Sequence, residues 1–183
     1  MKDSQGAILS FWFEETQPQQ WFQVSPDFDE IIRDRFADAY EKARDGILDD
    51  WRRDADGCLA LCLLLDQFPR NMFRSTPQAF ATDGKGLVVA KFAVSKGFDQ
   101  VLPPVKRRFL YLPYEHSENL QDQRKCVELF EKMKKDDPLG HDYALRHLKV
   151  VEKYGRFPYR NKILGRDNTP EEEEYLAEPG AGF

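Results

Sequence analysis

Three stretches of this sequence hold polar side chains at spacings that chemistry can use. The first is LLLDQFPRNMFR, residues 63–74, in which Arg70 and Arg74 stand four apart and share a face if a helical turn resumes after Pro69. Asp66 and Gln67 precede them, and Asn71 between them adds a donor and an acceptor. Two guanidinium forks beside one carboxylate can hold a carboxylate or a phosphate. The same residues can equally close on themselves, Asp66 pairing with an arginine and Asn71 satisfying backbone around the proline. The second stretch, LYLPYEHSE, residues 110–118, sets His116, Ser117 and Glu118 just after a proline. His116 could carry a proton with Glu118 or Asp66 orienting it. Ser117 lacks the glycine-flanked strand-to-helix turn that exposes a nucleophile and can instead cap a helix, while His116 can be a hydrogen-bonded core residue among Tyr111, Leu112 and Tyr114.

The third stretch, YGRFPYRNKILGRDNTPEE, residues 154–172, is the most basic part of the chain. Arg156, Arg160, Lys162 and Arg166 alternate with Phe157, Tyr159 and Asn161. Arginines with aromatics beside helix starts suit an anion or an acidic peptide, and they can also pair with acidic helices to hold the C-terminal arm down. His141 and His147 are six apart, which turns a helix by about 240° net, so they do not share a face. HExxH, CxxC and GxGxxG are absent, and GKG at 84–86 is not a phosphate loop. Neither a metal nor a nucleotide cofactor is expected.

The elements that must position these residues read as helices. Ser25 caps, Pro26 takes the first helical position, and Phe28, Ile32, Phe36, Tyr40 and Ala43 recur at three and four, which predicts a helix from about Pro26 to Asp45. A second, from about Asp54 to Gln67, is apolar all round through CLALCLLL and must be buried on most sides, with Pro69 forcing a break or kink after it. Asp83 can cap a helix that Gly97 closes. Pro103-Pro104 opens a short one that Pro113 interrupts, and residues 118–135 are amphipathic with acids early and lysines late. Another helix follows Pro138 and stops at Gly155. Thr169-Pro170-Glu171-Glu172 is a cap, a first-position proline and an acidic first turn in succession, with Glu172 at the capping-box position. Six or seven main helices with short connectors predict an all-α chain of stacked antiparallel hairpins forming one domain over 1–183, frayed from about residue 176.

Composition agrees. The chain has 183 residues, 41% hydrophobic and 32% charged, with 27 Lys plus Arg against 32 Asp plus Glu, a net charge of −5. That is the make-up of a globular protein, and its acidity disfavours nucleic acid as a partner. No apolar run approaches the roughly 20 residues of a membrane helix. The opening MKDSQGAILSFWF lacks a basic start and a cleavage site, and three cysteines are an odd number, so reduced thiols in the cytoplasm are expected. The stretch Phe11, Trp12, Phe13, Trp21, Phe22 holds more aromatic surface than one helix face can bury, leaving some of it for a loop or a partner.

Taken together, LLLDQFPRNMFR, LYLPYEHSE with the following ENLQDQ, and GRFPYRN…LGR…TPEE resemble the DUF924 family of bacterial and related proteins of unknown function. The resemblance runs from ILSFWF near the N-terminus to TPEEEEYL. It implies a tetratricopeptide-like all-helical fold and carries the family's motif positions onto Asp66, Gln67, Arg70, Asn71 and Arg74, then His116, Ser117 and Glu118, then Gly155, Arg156, Phe157, Arg160 and Asn161. Tyr159 stands where the family pattern has His, and Glu115 where it has an apolar residue. The leading expectation is a binding or scaffold protein that recognises an anionic small molecule or acidic peptide through Arg70, Asn71, Arg74, Arg156, Arg160 and Asn161. The alternative is a hydrolase or transferase on an anionic substrate, with His116 as the proton carrier and Glu118 or Asp66 beside it.

Overall fold

The computed structural model describes residues 4–182, and among these it is all helix, with no strand. The chain clusters into two compact units, Met1–Arg74 with Gln78–Pro113, and Ser75–Pro77 with Tyr114–Phe183.

The first unit opens with α1 (Gln5–Ser10), capped by the Ser4 hydroxyl and running on as a wide π-helical turn, Phe11–Glu15. Trp12 is fully buried there, and its carbonyl accepts from both the Thr16 hydroxyl at 2.6 Å and the Trp21 indole N–H at 3.0 Å. The amphipathic α2 (Pro26–Arg44) matches its sequence pattern and lays Phe28, Ile32, Phe36, Ala39, Tyr40 and Ala43 into the core. Capped by Asp54, α3 (Ala55–Cys62) is buried throughout CLALCLLL, as its all-round apolarity requires. At Gly57 any Cβ would collide with the Trp51 carbonyl, so only glycine fits.

Two prolines lie within helix. At Pro69, where a break or kink is expected, α3 passes through a π-helical turn, Leu63–Gln67, into α4 (Phe68–Met72) without a break. The wider register lets the Phe68 N–H reach the Leu63 carbonyl and relieves the clash that a proline ring makes with the turn before it. The carbonyls that lose helical partners find others. Leu65 accepts from the buried Thr82 hydroxyl at 2.6 Å, and Asp66 from the Arg70 guanidinium at 2.6 Å. Likewise Pro113 lies inside α6 (Pro104–Glu115) without interrupting it. Between them runs α5 (Asp83–Ser95), closed by Gly97 at φ 71°.

The second unit begins with the last two residues of α6. There the Gln123 carboxamide donates to the carbonyls of Tyr114, Glu115 and Ser117 and so caps that helix end. Helices α7 (Leu120–Lys132, capped by Asn119) and α8 (Pro138–Tyr154, capped by Asp137) form an antiparallel hairpin. Its direction follows from Arg124 at the start of α7 meeting Glu152 near the end of α8, and Glu131 meeting His141 in the reverse sense. The helices close so tightly that a Cβ at Gly140 would stand 2.6 Å from the Phe130 ring. After Gly155 the chain makes a short 3-10 turn, then α9 (Asn161–Leu164) and α10 (Pro170–Leu176), which carries the expected Thr169–Glu172 capping box. Beyond α10 the chain turns back, so that a Cβ at Gly182 would stand 3.0 Å from the Tyr159 side chain.

Candidate functional site

In the first unit, the register change at Pro69 decides where the motif side chains go. Asp66 is 1% exposed and lies 3.3 Å from the Arg70 guanidinium, which also grips Asp83 in a two-point fork at 2.8 and 3.0 Å. Gln67 donates to the Trp21 carbonyl at 3.4 Å. Asn71 donates to Asp29 at 2.8 Å, and Arg74 takes both oxygens of that same carboxylate at 2.7 and 2.8 Å. Among the described residues, none donates a hydrogen bond to the buried Oδ1 of Asn71. Asp29 and Asp83 both stand in the first turn of a helix, α2 and α5, where the dipole already favours negative charge.

In the second unit, Arg156 forks onto Glu172 at 2.7 and 2.7 Å. The Glu172 carboxylate also accepts from the Thr169 N–H and from Asn161. The Arg156 hydrogen bonds outweigh burial and hold this carboxyl at about 2. Asn161 bonds to Asn168 as well, so Arg156, Asn161 and Glu172 form one network that ties α9 to α10. Arg160 is almost fully buried. It donates to the His116 carbonyl at 3.1 Å and the Tyr159 hydroxyl at 3.2 Å, and lies over the Phe157 and Tyr159 rings at 4.7 and 5.6 Å.

A fourth fork joins Arg166 to Glu118 at 2.8 and 2.9 Å, and Glu118 accepts the Phe157 N–H too. Burial pushes the Glu118 carboxyl up, but the Arg166 and Phe157 hydrogen bonds and the Arg166 and Arg160 charges together bring it below its usual range. Ser117 donates to Asp122 at 2.9 Å, which leaves its hydroxyl engaged as a loop brace. The half-buried His116 ring stands 6.3 Å from that of His147. His147 is buried and donates from Nδ1 to the Tyr143 carbonyl at 2.9 Å, with Glu115 at 3.6 Å. His141 meets Glu131 at 2.5 Å. Among the described residues no group of His, Cys, Asp and Glu is arranged to hold a metal ion. Cys58, Cys62 and Cys126 are buried free thiols; burial pushes Cys58 up to about 11 and the other two well above the usual thiol range. No helix among the described residues is long and apolar enough to cross a membrane.

The residues singled out in sequence thus divide by unit: Asp66, Arg70, Asn71 and Arg74 in the first, His116, Glu118, Arg156, Arg160 and Asn161 in the second. Sequence reasoning passed over the carboxylate partners. Asp29 and Asp83 read only as helix-start acids, and Arg166 only as one of several basic residues.

No curated protein matches the sequence. A solved structure of a protein of unknown function from Agrobacterium tumefaciens is 40% identical and superposes with a TM-score of 0.90, covering 94% of this chain and 96% of that one. Residues 8–180 match the family described as bacterial protein of unknown function, DUF924. On that match and that likeness, the chain belongs to the DUF924 family.

Proposed function

We propose that this protein is a helical binding protein that recognises an anionic group, on a small molecule or an acidic peptide, through an arginine fork. Of the residues expected to do so, Arg70, Asn71, Arg74, Arg156 and Asn161 are engaged with carboxylates of their own. The entry point is the fork between Glu118 and Arg166, beside Arg160 and His116. One observation carries this choice: among the forks of the motif arginines this one has the most open carboxylate, with 24% side-chain exposure for Arg166 and 28% for Glu118 against 16% and 20% for Arg70 and Asp83. A guanidinium fork fits any carboxylate or phosphate that presents two oxygens. An incoming anion can therefore compete with Glu118 for Arg166, while Glu118 keeps the Phe157 N–H on Oε1 and turns Oε2 to solvent. The Glu172 and Asp29 carboxylates, 2% and 9% exposed, have no such exit, because a displaced charge would stay buried.

A thermal-shift screen tests the proposal. Wild type, Arg166→Gln and Arg70→Ala would each be titrated with inorganic phosphate, a set of di- and tricarboxylates, and a poly-glutamate peptide. A ligand at a hundred times its dissociation constant adds roughly 2.7 kcal/mol. The expected result is a rise in midpoint with at least one anion that Arg166→Gln abolishes. No shift with any anion, or a shift equal in wild type and Arg166→Gln, would overturn it.

A further inference from the structure

The two oxygens of Glu118 are held unequally. Oε1 accepts the Phe157 N–H at 2.8 Å and Arg166 Nη2 at 2.9 Å, whereas Oε2 accepts only Arg166 Nη1, at 2.8 Å, among the described residues. Nη2 gives its second hydrogen to the Phe157 carbonyl at 3.1 Å. Arg166 thus commits three of its five N–H donors to described residues, and Nη1 keeps one hydrogen. Its buried Nε–H has no acceptor among those residues either.

An anion that docks on Nη1 meets Oε2 of Glu118 on the same nitrogen. The Phe157 N–H tethers Oε1, so the carboxylate stays close and the ligand has an acceptor-only neighbour. A sulfate or a single carboxylate, fully ionised at neutral pH, has only acceptors to set against it. A phosphate monoester loses its second proton near pH 6, so it can keep that proton and donate it to Oε2.

The surroundings leave the proton on the ligand. Burial pushes the Glu118 carboxyl up, but the Arg166 and Phe157 hydrogen bonds and the Arg166 and Arg160 charges bring it below its usual range. Glu118 therefore remains an ionised acceptor near pH 6. Arg160 reaches it from the turn after α8, with its guanidinium over the Phe157 ring and on the His116 carbonyl. Arg156, just past α8, adds its charge while forked onto Glu172 of α10 and close to Asp167. His116, with His147 of α8 at 6.3 Å, is the neighbouring group that titrates near neutral pH.

We propose that the Glu118–Arg166 fork is a site for a phosphate monoester, whose one oxygen accepts from Arg166 while the P–O–H of another donates to Glu118 Oε2. This rests on the anion reading above and narrows it to one ligand chemistry. Binding from the dianion takes up one proton and makes or breaks no covalent bond of the ester besides that O–H.

The test is isothermal titration calorimetry on the full chain with phenyl phosphate, phenyl sulfate and benzoate, which share a ring and differ in the anion. At pH 6 the wild type should bind phenyl phosphate at least about tenfold tighter than the other two. Above pH 7 the free ester is a dianion, so affinity should fall about tenfold per pH unit as binding draws a proton from the buffer. Heats in two buffers of different ionisation enthalpy should show that proton. Glu118→Gln can donate from its amide to a fully ionised oxygen, so it should close the gap between phosphate and sulfate and remove the pH slope. A slope that came from His116 would survive that change. Should Glu118→Gln fail to fold, the wild-type selectivity and proton uptake decide alone. A phosphoserine peptide run beside phenyl phosphate tells a protein-borne group from a free one, and either supports the proposal if it shows the same proton uptake.

The proposal falls if phenyl sulfate or benzoate binds wild type as well as phenyl phosphate does, if affinity holds above pH 7, or if folded Glu118→Gln keeps the discrimination. Loss of all binding in Arg166→Gln would then leave the anion reading standing without it. Equal binding in wild type and Arg166→Gln overturns both. If none of the three binds, this inference falls, and the di- and tricarboxylates of the thermal-shift screen decide the anion reading.

Discussion

The arginine motifs of the two units look alike in sequence and serve different structures. In the first unit the motif lies inside a continuous helix and repairs what Pro69 and the π-helical turn leave open. Arg70 covers the Asp66 carbonyl and carboxylate while gripping Asp83, and Asn71 and Arg74 converge on Asp29. In the second unit the motif lies mostly outside regular helix and binds a winding segment to α10 through Glu172. Of the four carboxylates forked by the motif-segment arginines, Asp29, Asp83 and Glu172 sit in the first turn of a helix and gain from its dipole as well as from an arginine. Glu118 belongs to a connector, just before the Asn119 cap of α7. On the proposed function, forks anchored at helix starts hold the fold and the one anchored in a loop exchanges with a ligand.

The largest test of that contrast is Arg70→Ala. It takes the Arg70 charge away from Asp66, a carboxylate 1% exposed, and leaves Asp83 without its fork. Removing one partner of a buried pair costs about 3–5 kcal/mol, to be read as a fall in the urea midpoint. If Arg70→Ala unfolds at the wild-type midpoint, the motif in the first unit is not structural and the contrast collapses.

Next comes Glu172→Gln, which weakens the hydrogen bonds to Arg156 and Asn161 and should cost about 2 kcal/mol at neutral pH. The pH dependence has a definite sign. The folded carboxyl is held at about 2 against an ordinary 4.5, so the folded state binds fewer protons. Its contribution is complete above pH 4.5 and is lost as pH falls toward 2. Glu172→Gln should therefore flatten the acid limb of the stability curve across that window. An acid limb identical to wild type would remove Glu172 from the structural class. A smaller loss, about 1–2 kcal/mol, is expected for Thr82→Val, which leaves the buried Leu65 carbonyl without its hydroxyl donor. Hydrogen exchange in α3 and α4 would localise it.

How far the sequence could foretell this follows from the range of each interaction. Helix starts were legible at Ser25-Pro26, Asp54 and Thr169-Pro170, and stops at Gly97 and Gly155, because cap chemistry acts within about four residues. The burial of CLALCLLL was legible from its all-round apolarity. Pro113 was misread as an interruption, and the form of the change at Pro69, a π-helical turn rather than a break, depends on Thr82 and Arg70 arriving to satisfy the freed carbonyls. The forks were not legible at all. Arg70 meets Asp83 across 13 residues, Arg74 meets Asp29 across 45, and Arg166 meets Glu118 across 48. A list of arginines could therefore name the motif residues, but not their carboxylates or how far each fork is open to water.

The smallest effect on stability is expected where the effect on binding is greatest. Arg166→Gln breaks a fork whose members both touch solvent, and such pairs contribute about 0.2–1 kcal/mol. Glu118 keeps the Phe157 N–H, and its released oxygens turn to water, so the urea midpoint should barely move. The anion-induced rise in thermal midpoint should nevertheless vanish, because the guanidinium that would receive the ligand is gone. Arg156→Gln, at a fork whose carboxylate is sealed, should show the reverse: a clear loss of stability with any anion response retained. Crossing the two variants with and without anion separates holding from exchanging in a single experiment. If Arg166→Gln proved as destabilising as Arg156→Gln, Glu118 would be one more structural anchor, and the division between helix-start and loop carboxylates would have no functional content.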